Sequence, residues 1–375
     1  MEYYNLTSMP AFSKLKNGEK VSIRELLSKE RIEKSNIKLG GGLTYNWAAM
    51  PVDDRIVRGL QKLADEMEVI DKYKALLSGE RMNTGENRLV LHQLTRGNVL
   101  KAEVYADGEN KEEFYKGELD KIKDFSTKVR NGSIKGSTGK KFKTICQIGI
   151  GGSDLGPRAL YLALKGWAAG NKVKTLEGRF ISNVDPDDAA SAIEGLDLET
   201  TLFVLVSKSG TTQETLTNRD LVLSVLSSSP IEGFEASRHM VAVTSKTSPL
   251  SQDKSLLQSF FIDDYIGGRY SSTSAVGGVV LSLCYGYAAF ASLLKGAHEE
   301  DRLALGKNIR KNGALMDALI GLYLRNILSY PSTAILPYSQ ALSRFPAHLQ
   351  QLDMESNGKH VNRFGEAVNY PLRIC

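Results

Sequence analysis

Residues 144–157 read TICQIGIGGSDLGP, and this stretch decides the fold class. The largely apolar run from Thr144 to Ile150 predicts a buried strand, and the glycines that follow it predict a loop. A helix is expected from about Arg158, so that a strand, a loop and a helix follow one another directly. This order is typical of an α/β protein with a parallel sheet.

The same unit recurs further along the chain. Short apolar runs predict strands over Arg179 to Ser182, Thr201 to Val206 and Met240 to Val243. Polar loops and helical segments separate these strands, and one helix is expected to begin near Asp187. We therefore predict a parallel sheet with helices on both faces, and ligands of such sheets bind at the carboxyl ends of the strands.

The region before this sheet is predicted to be mainly helical. Asp53 to Leu77 carries apolar residues at helical spacing, and Lys111 to Val129 has the pattern of a polar helix. Ser22 to Glu25 forms a capping-box pattern in front of an amphipathic run. The Gly- and Ser-rich stretch from Arg130 to Gly139 predicts a domain boundary.

The region after the fourth strand contains the longest apolar stretch, Ala275 to Leu294. Its Gly, Ser and Tyr residues favour a buried helix over a membrane span. A second helix is predicted over Asp301 to Ser329, and a further helix from about Gln340. Between them, Thr333 to Leu336 predicts a strand that would begin a second α/β unit.

Composition and charge indicate a folded protein without affinity for nucleic acid or membranes. Of 375 residues, 42% are hydrophobic, and 48 Lys and Arg residues stand against 43 Asp and Glu residues that are spread along the chain. Cys146, Cys284 and Cys375 are far apart, so we expect reduced thiols in a cytoplasmic protein. The histidines show no metal-ligand spacing, and residues 1–20 lack the apolar core of a signal peptide.

The loop from Gly149 to Pro157 could bring backbone N–H groups close to an anionic ligand at a helix N-terminus. A tight turn with Pro157 at the helix start is an alternative that stays open. The loop does not match the dinucleotide-binding fingerprint, because Asp154 occupies the position of its third glycine. This mismatch weakens the hypothesis of a nicotinamide-dependent dehydrogenase.

A second loop, Ser207 to Thr215, combines four hydroxyl groups and a lysine within six residues. A phosphate group is recognised by several hydrogen-bond donors together with partial positive charge, which a helix N-terminus also supplies. The alternative is a capping box formed by Thr211 and Glu214. That alternative leaves Lys208 and the other hydroxyls unexplained, so we favour a phosphate site.

Two further segments carry candidate polar groups. Gly267 and Gly268 precede Arg269, and a ligand could reach the guanidinium there, although a surface arginine is the simpler alternative. If residues 351–357 are helical, Gln351 and Glu355 lie on the same helix face. A solvated face is again the simpler alternative.

Together these segments resemble the glucose-6-phosphate isomerase (phosphoglucose isomerase) family. The resemblance is carried by IGGSDLGP, SKSGTTQET, GGRYSSTSAVG and QLDMESNGK, which follow one another in the family's order and at comparable spacing. Asn87 to His92 also resembles the family's N-terminal segment. The match extends over essentially the whole chain.

The resemblance implies a sugar-isomerase (SIS) fold, an α/β three-layer αβα sandwich with a parallel sheet. Its expected domains are a helical N-terminal region over 1–130, a first SIS domain over 131–300, and a linking helix with an incomplete second SIS domain over 301–375. It also implies a cytoplasmic enzyme of glycolysis and gluconeogenesis that forms a homodimer when it is full length. The alternative is a non-catalytic SIS-domain protein that binds a sugar phosphate.

Carried over by position, the resemblance also implies roles for individual residues. Glu355 matches the catalytic base, and Arg269 matches the arginine that faces the reacting carbons. Gly152 and Ser153 match the loop that lines the sugar site, and Gln351 matches a glutamine that contacts the substrate. The loop that binds the substrate phosphate is matched by Ser207, Lys208, Ser209, Thr211 and Thr212.

These residue types suit an aldose–ketose isomerase acting on glucose 6-phosphate and fructose 6-phosphate. A carboxylate within reach of C1 and C2 can transfer a proton between them through a cis-enediol intermediate. A positioned arginine stabilises the negative charge of the enediolate. The resemblance therefore implies that neither a metal nor a cofactor is required.

The sequence departs from the family pattern after Pro371. Family members are longer and continue into a segment containing GTNGQH and then a region with a catalytic lysine, whereas this sequence ends with residues 372–375. The histidine and lysine that serve ring opening and proton handling are not matched, and neither His348 nor His360 lies at the motif position. We expect a truncated, frameshifted or fragmentary chain with poor activity and stability by itself.

Overall fold

The structure is a computed structural model that describes residues 2–371. The chain divides into two compact units. The first comprises Met1–Val104, Leu293–Ala334 and Asp353–Cys375, and the second comprises Tyr105–Ser292 and Ile335–Leu352. This division by contacts differs from the domain ranges expected from the sequence, which stay a prediction.

A five-stranded parallel sheet forms the centre of the second unit. Its strands are β1 (Thr144–Ile148), β2 (Glu177–Ile181), β3 (Thr201–Val206), β4 (Met240–Thr244) and β5 (Gln258–Phe261). Their order across the sheet is β2-β1-β3-β4-β5. Four of these strands were predicted from the sequence, and the predicted parallel α/β sheet is confirmed. The edge strand β5 was not predicted.

Helices cover both faces of this sheet. On one face, Cys146 and Phe203 share a buried apolar cluster with Ala189 and Val222, which belong to the crossover helices Pro186–Ile193 and Gln213–Ser227. On the other face lies Ala275–Tyr285, in which every residue is buried. That helix contacts Lys111–Asn131 and Leu155–Gly170, so the second unit has the predicted three layers.

The helix Lys111–Asn131 belongs to this second unit, although the sequence placed it in the N-terminal region. Its buried residues include Ile122, Phe125 and Val129, at helical spacing. The ring of Phe125 packs edge-on against Phe260 of β5, with centroids 5.3 Å apart. The helix is therefore part of the sheet's own covering layer.

The apolar stretch predicted as one helix from Ala275 to Leu294 forms two helices, Ala275–Tyr285 and Tyr287–Leu303. Gly286 ends the first of them with a φ of 90°, a conformation that glycine adopts without steric cost. The second helix continues from the second unit into the first. No helix among the described residues is long and apolar enough to cross a membrane.

Two predictions for the following region are wrong. Instead of one helix over 301–329, Gly313–Leu322 is helical and continues as the π-helical turn Tyr323–Ile327. The side chain of Asn312 caps this helix by accepting from Leu315 N–H, so the helix begins there. Thr333 to Leu336 forms no strand, because no other described segment pairs with it to complete a ladder.

The first unit is built from helices around one apolar cluster. Its helices before residue 104 are Pro10–Asn17, Ile23–Leu26, Lys29–Lys34, Asp54–Glu66 and Val69–Leu77. The predicted helix over 53–77 is interrupted at Glu68, which has a φ of 51°. In the apolar cluster of this unit, Leu60 and Leu63 pack with Met316 and Ile320, so a later part of the chain completes the core.

Short elements complete the two units. The first unit contains the antiparallel pair Asn36–Lys38 and Thr44–Asn46, and the second contains Tyr105–Ala106 and Glu109–Asn110. Towards the end of the chain, Phe345–Leu349 is helical and is followed by the π-helical turn Gln350–Glu355. The helix expected from about Gln340 therefore begins slightly later.

Two of the cysteines are buried and form no disulfide. Cys146 lies on β1 and Cys284 lies near the end of the helix Ala275–Tyr285. Burial raises the pKa of both thiols, that of Cys146 to about 12, so both remain protonated. Cys375 lies outside the described residues.

His92, in the first unit, makes stability depend on pH. Burial, assisted by the charge of Arg96, lowers the pKa of His92 from 6.5 to about 3, so the folded protein keeps this ring neutral. The unfolded chain binds a proton below its ordinary pKa, and stability is therefore lost as the pH falls from 6.5 towards 3. The loss from this group amounts to at most about 1.4 kcal/mol per pH unit.

We expect the variant His92→Gln to show a shallower loss of unfolding free energy over this range. Urea unfolding of both proteins at pH 7, 6, 5 and 4 measures how steeply the unfolding free energy of each protein changes with pH. The comparison uses slopes, so a constant cost of the substitution does not affect it. Equal slopes in the two proteins would contradict the assignment to His92.

Candidate active site

The glycine-rich loop after β1 packs directly against the loop that carries Arg269. Gly152 lies in the turn Gly151–Ser153, and a Cβ atom on it would stand 2.8 Å from the Cα of Gly268 and closer still to the carbonyl group of Gly268. The Ser271 hydroxyl donates to the carbonyl oxygens of Gly152, at 3.2 Å, and Gly268, at 2.7 Å. The two backbones are therefore held in contact.

Arg269 is fixed by this contact at the level of its backbone. It is half-buried in the turn Gly268–Thr273, which directly precedes the buried helix Ala275–Tyr285. The sequence did not single out Ser271, because a serine within a run of hydroxyl residues carries no distinguishing signal. Its position now shows that it joins the two loops.

Gln147 is a second residue that the sequence analysis missed. It lies on β1 and is only 1% exposed, and its side-chain N–H group donates to the carbonyl oxygen of Ser153 at 2.7 Å. A buried amide is stable only when it is hydrogen-bonded, so this contact fixes the end of the glycine-rich loop. The sequence signal that could have indicated this role is a single amide side chain in a strand that is largely apolar.

Asp154 ends the glycine-rich loop as the N-cap of Leu155–Gly170. It is 4% exposed, and its carboxylate accepts from Nε of Arg158 at 2.8 Å. Burial raises the pKa of Asp154, while the nearby Arg158 opposes that shift. Asp154, at the position of the third glycine in the dinucleotide fingerprint, is therefore held in an ion pair with Arg158. Pro157 lies within the first turn of the helix.

The second predicted loop brings its hydroxyl groups together after β3. The Ser207 hydroxyl donates to Oγ1 of Thr212 at 3.2 Å, and the N–H group of Gly210 donates to Oγ of Ser207 at 3.1 Å. Ser209 accepts from both the N–H and the hydroxyl of Thr211. The loop therefore forms a compact polar turn at the carboxyl end of the sheet.

A helix begins directly after this polar turn. The helix Gln213–Ser227 has Thr212 as its N-cap, and the Thr212 side chain makes no capping hydrogen bond. A capping box between Thr211 and Glu214 would require Thr211 as the N-cap, so that alternative is wrong. The first N–H groups of a helix have no acceptor within the helix, and they favour an anion at this end.

Lys208 connects the second loop to the third. Its ammonium group donates to the backbone carbonyl oxygens of Asp264, at 2.7 Å, and Ile266, at 3.0 Å. These residues lie between β5 and Arg269. The position of the polar turn is therefore coupled to the segment that leads into the arginine loop.

The fourth candidate segment, whose helical state the sequence left open, has π-helical geometry over Gln350–Glu355. The side-chain nitrogen of Gln351 lies 3.2 Å from the point where a Cβ atom of Gly151 would stand, so Gln351 borders the glycine-rich loop. Glu355 is exposed at the end of the turn and belongs to the first unit. The role of each predicted site residue stays a prediction.

Among residues 2–371, no group of three or more His, Cys, Asp and Glu side chains is arranged so that it could hold a metal ion.

The chain is similar to known proteins over almost its whole length. The family model described as phosphoglucose isomerase matches residues 46–373. The chain is 55% identical to the glucose-6-phosphate isomerase of Treponema denticola, over 99% of this chain and 71% of that relative. It is 43% identical to the glucose-6-phosphate isomerase of Borreliella afzelii, over 99% of this chain and 70% of that relative.

A solved structure shows the same relationship. The crystal structure of a glucose-6-phosphate isomerase from Chlamydia trachomatis is 37% identical in sequence and superimposes with a TM-score of 0.89. The match covers 98% of this chain and 70% of that structure. The family match, the curated relatives and the solved structure lead to one conclusion: this chain belongs to the phosphoglucose isomerase family.

Proposed function

We propose that the chain is an aldose–ketose isomerase that interconverts glucose 6-phosphate and fructose 6-phosphate. The observation that supports the proposal is that the glycine-rich loop packs against the arginine loop, while Lys208 of the polar turn donates to residues 264 and 266, which lead into the arginine loop. Relatives named glucose-6-phosphate isomerase support an enzyme over a non-catalytic sugar-phosphate-binding protein.

The polar turn 207–212 is proposed to bind the substrate phosphate. Its hydroxyl groups converge beside the N-terminus of Gln213–Ser227, where backbone N–H groups favour an anion. The ammonium group of Lys208 lies on the carbonyl groups of residues 264 and 266, so it adds positive charge behind the turn. Ser209 and Thr211 are exposed and can reorient towards a ligand.

The proposed chemistry is a proton transfer between neighbouring carbons. From open-chain glucose 6-phosphate, the carboxylate of Glu355 removes the proton from C2 and returns it to C1, while the hydroxyl proton moves from O2 to O1; from fructose 6-phosphate the same transfers run in reverse, so that atoms and charge balance. The guanidinium of Arg269 is proposed to stabilise the negative charge of the enediolate. Gly152, Ser153 and Gln351 are proposed to line the sugar.

The activity is tested by following conversion of fructose 6-phosphate to glucose 6-phosphate. Two proteins are compared: the 375-residue chain and a chimera that also carries the part of the Treponema denticola relative outside the matched region. Turnover by either protein, without turnover of fructose lacking a phosphate, supports the proposal. Sugar-phosphate binding without turnover in both would favour the non-catalytic alternative.

A double substitution tests the phosphate role. Ser207→Ala with Thr212→Ala removes two hydroxyl groups of the polar turn and is expected to raise the dissociation constant of inorganic phosphate by about tenfold or more, because each hydrogen bond to a charged group contributes about 1.5–3 kcal/mol. Calorimetric titration measures this constant. Thr217→Ala with Ser228→Ala, a matched loss of hydroxyls elsewhere on that helix and its end, serves as the control. Equal affinities in all three proteins would remove the assignment.

A homodimer of the full-length protein, represented here by the chimera, and a cytoplasmic location are further proposals. Both come from the family resemblance, and the buried, unpaired Cys146 and Cys284 are consistent with a reducing compartment. Light scattering coupled to size-exclusion chromatography measures the mass of the particle in solution. A monomer at micromolar concentration would contradict the dimer.

A further inference from the structure

A buried carboxylate lies shortly before the arginine loop in the chain. Asp263 is 7% exposed and follows shortly after β5. Its Oδ2 atom accepts from the Tyr115 hydroxyl at 2.8 Å and lies 3.3 Å from the ammonium nitrogen of Lys111. Lys111 and Tyr115 lie in the first turns of the helix Lys111–Asn131 and are themselves buried, so the three groups form one enclosed polar cluster.

Burial makes this cluster sensitive to the loss of any member. The side chain of Lys111 is 5% exposed, and its ammonium nitrogen lies 3.4 Å from Glu109 as well as near Asp263. Burial raises the pKa of Tyr115, assisted by the negative charge of Asp263, so its hydroxyl stays protonated and remains a donor. A buried charge is stable only with such partners.

The backbone next to Asp263 holds the lysine of the polar turn. The two carbonyl oxygens that accept from Lys208 belong to Asp264 and Ile266, one and three residues further along the chain. Oδ1 of Asp263 also accepts from the N–H group of Tyr265, between them, at 3.4 Å. The Asp263 side chain thus bonds the segment whose carbonyl groups receive the lysine.

We propose that Asp263, held by Tyr115 and Lys111, is a positioning residue that fixes the segment 264–266 and thereby places Lys208 and the polar turn for phosphate binding. The proposal rests on the proposed phosphate role of that turn. Asp263 acts through Lys208 and does not touch the ligand. None of the motif segments that resemble the isomerase family contains Asp263, Tyr115 or Lys111.

The alternative is a cluster that serves stability alone, and a matched carboxylate separates the two. Asp301, in the first unit, is 5% exposed, and its carboxylate accepts from Nη2 of Arg96 at 2.7 Å and lies 3.5 Å from the Tyr73 hydroxyl. It therefore has the same types of partner as Asp263. Asp301→Asn and Asp263→Asn make the same chemical change in clusters of similar burial.

The experiment measures inorganic phosphate binding to the full chain by calorimetric titration, together with hydrogen–deuterium exchange over 207–211 and 263–270. We expect Asp263→Asn to weaken phosphate binding by about tenfold, which equals the loss of one charge-assisted hydrogen bond between the displaced polar turn and phosphate. We also expect faster hydrogen–deuterium exchange in both segments. Asp301→Asn is expected to lower the unfolding midpoint while leaving both measurements near the parent values. Equal effects of the two substitutions would show a purely structural cluster and overturn the proposal.

A milder variant keeps the proposal testable if Asp263→Asn does not fold. Tyr115→Phe removes one hydroxyl, keeps the ring, and is expected to weaken phosphate binding by about threefold to tenfold. Tyr73→Phe is its counterpart in the Asp301 cluster and should leave binding unchanged. Unchanged binding in Tyr115→Phe would overturn the proposal, and absence of phosphate binding in the parent chain would overturn the phosphate role itself.

Discussion

Replacing Glu355 by glutamine is expected to lower turnover of fructose 6-phosphate by about 100-fold or more. Glutamine keeps the shape of the side chain but cannot accept the proton from C1 of fructose 6-phosphate. Inorganic phosphate binding should stay near the parent value, because the substitution leaves the polar turn 207–212 intact. Turnover is measured in whichever version of the protein, the chain or the chimera, shows activity.

The control for this prediction is Glu366→Gln. Glu366 is another exposed glutamate near the end of the chain, where it accepts from the side chain of Asn362. Its substitution removes the same charge, so a general effect of net charge would appear in both variants. Near-normal turnover in Glu355→Gln, or an equal loss in the two variants, would remove Glu355 from the proton-transfer step.

The sequence predicted the centre of the sheet because its strands are buried on both faces. β1, β3 and β4 are short apolar runs bounded by polar or glycine-rich loops, which is the pattern of a buried parallel strand. β5 reads Gln-Ser-Phe-Phe and lies at the edge of the sheet, where only half of its residues are apolar. The strand β5 is defined by its pairing with β4, which its own composition does not predict.

Helix boundaries were harder to predict because single residues decide them. Apolar residues continue through Gly286, so periodicity alone joins two helices that a positive φ separates. At Asn312, a side-chain cap starts a helix within a region predicted as continuous. Thr333 to Leu336 shows the opposite error, because an apolar run forms a strand only where another strand pairs with it.

The candidate site was predictable in its residue types but not in its internal contacts. A loop rich in hydroxyl groups indicates an anion site wherever it lies, and the structure places that loop at a strand end. The docking of Lys208 on residues 264–266 depends on tertiary packing between strands that are distant in sequence. The contact of Gln147 with Ser153 and that of Asp263 with Tyr265 also depend on the folded structure and could not be predicted from the sequence.

Gly152→Ala is expected to disrupt the contact between the glycine-rich loop and the arginine loop. The new Cβ atom would stand 2.8 Å from the Cα of Gly268 and closer still to its carbonyl group, and backbone atoms cannot turn aside as a side chain can. The two loops would have to separate, which would move Arg269 away from Ser153. We expect a loss of about 1–3 kcal/mol in unfolding free energy, the usual cost of overpacking.

The reciprocal substitution provides the control. A Cβ atom on Gly268 would lie 3.8 Å from the Cα of Gly152, an ordinary van der Waals distance, so Gly268→Ala adds the same methyl group to the same contact without a clash. It should change the unfolding free energy by less than about 1 kcal/mol. Fructose 6-phosphate turnover should fall strongly only in Gly152→Ala. If both variants behaved alike, the close approach of these loops would not be what positions Arg269.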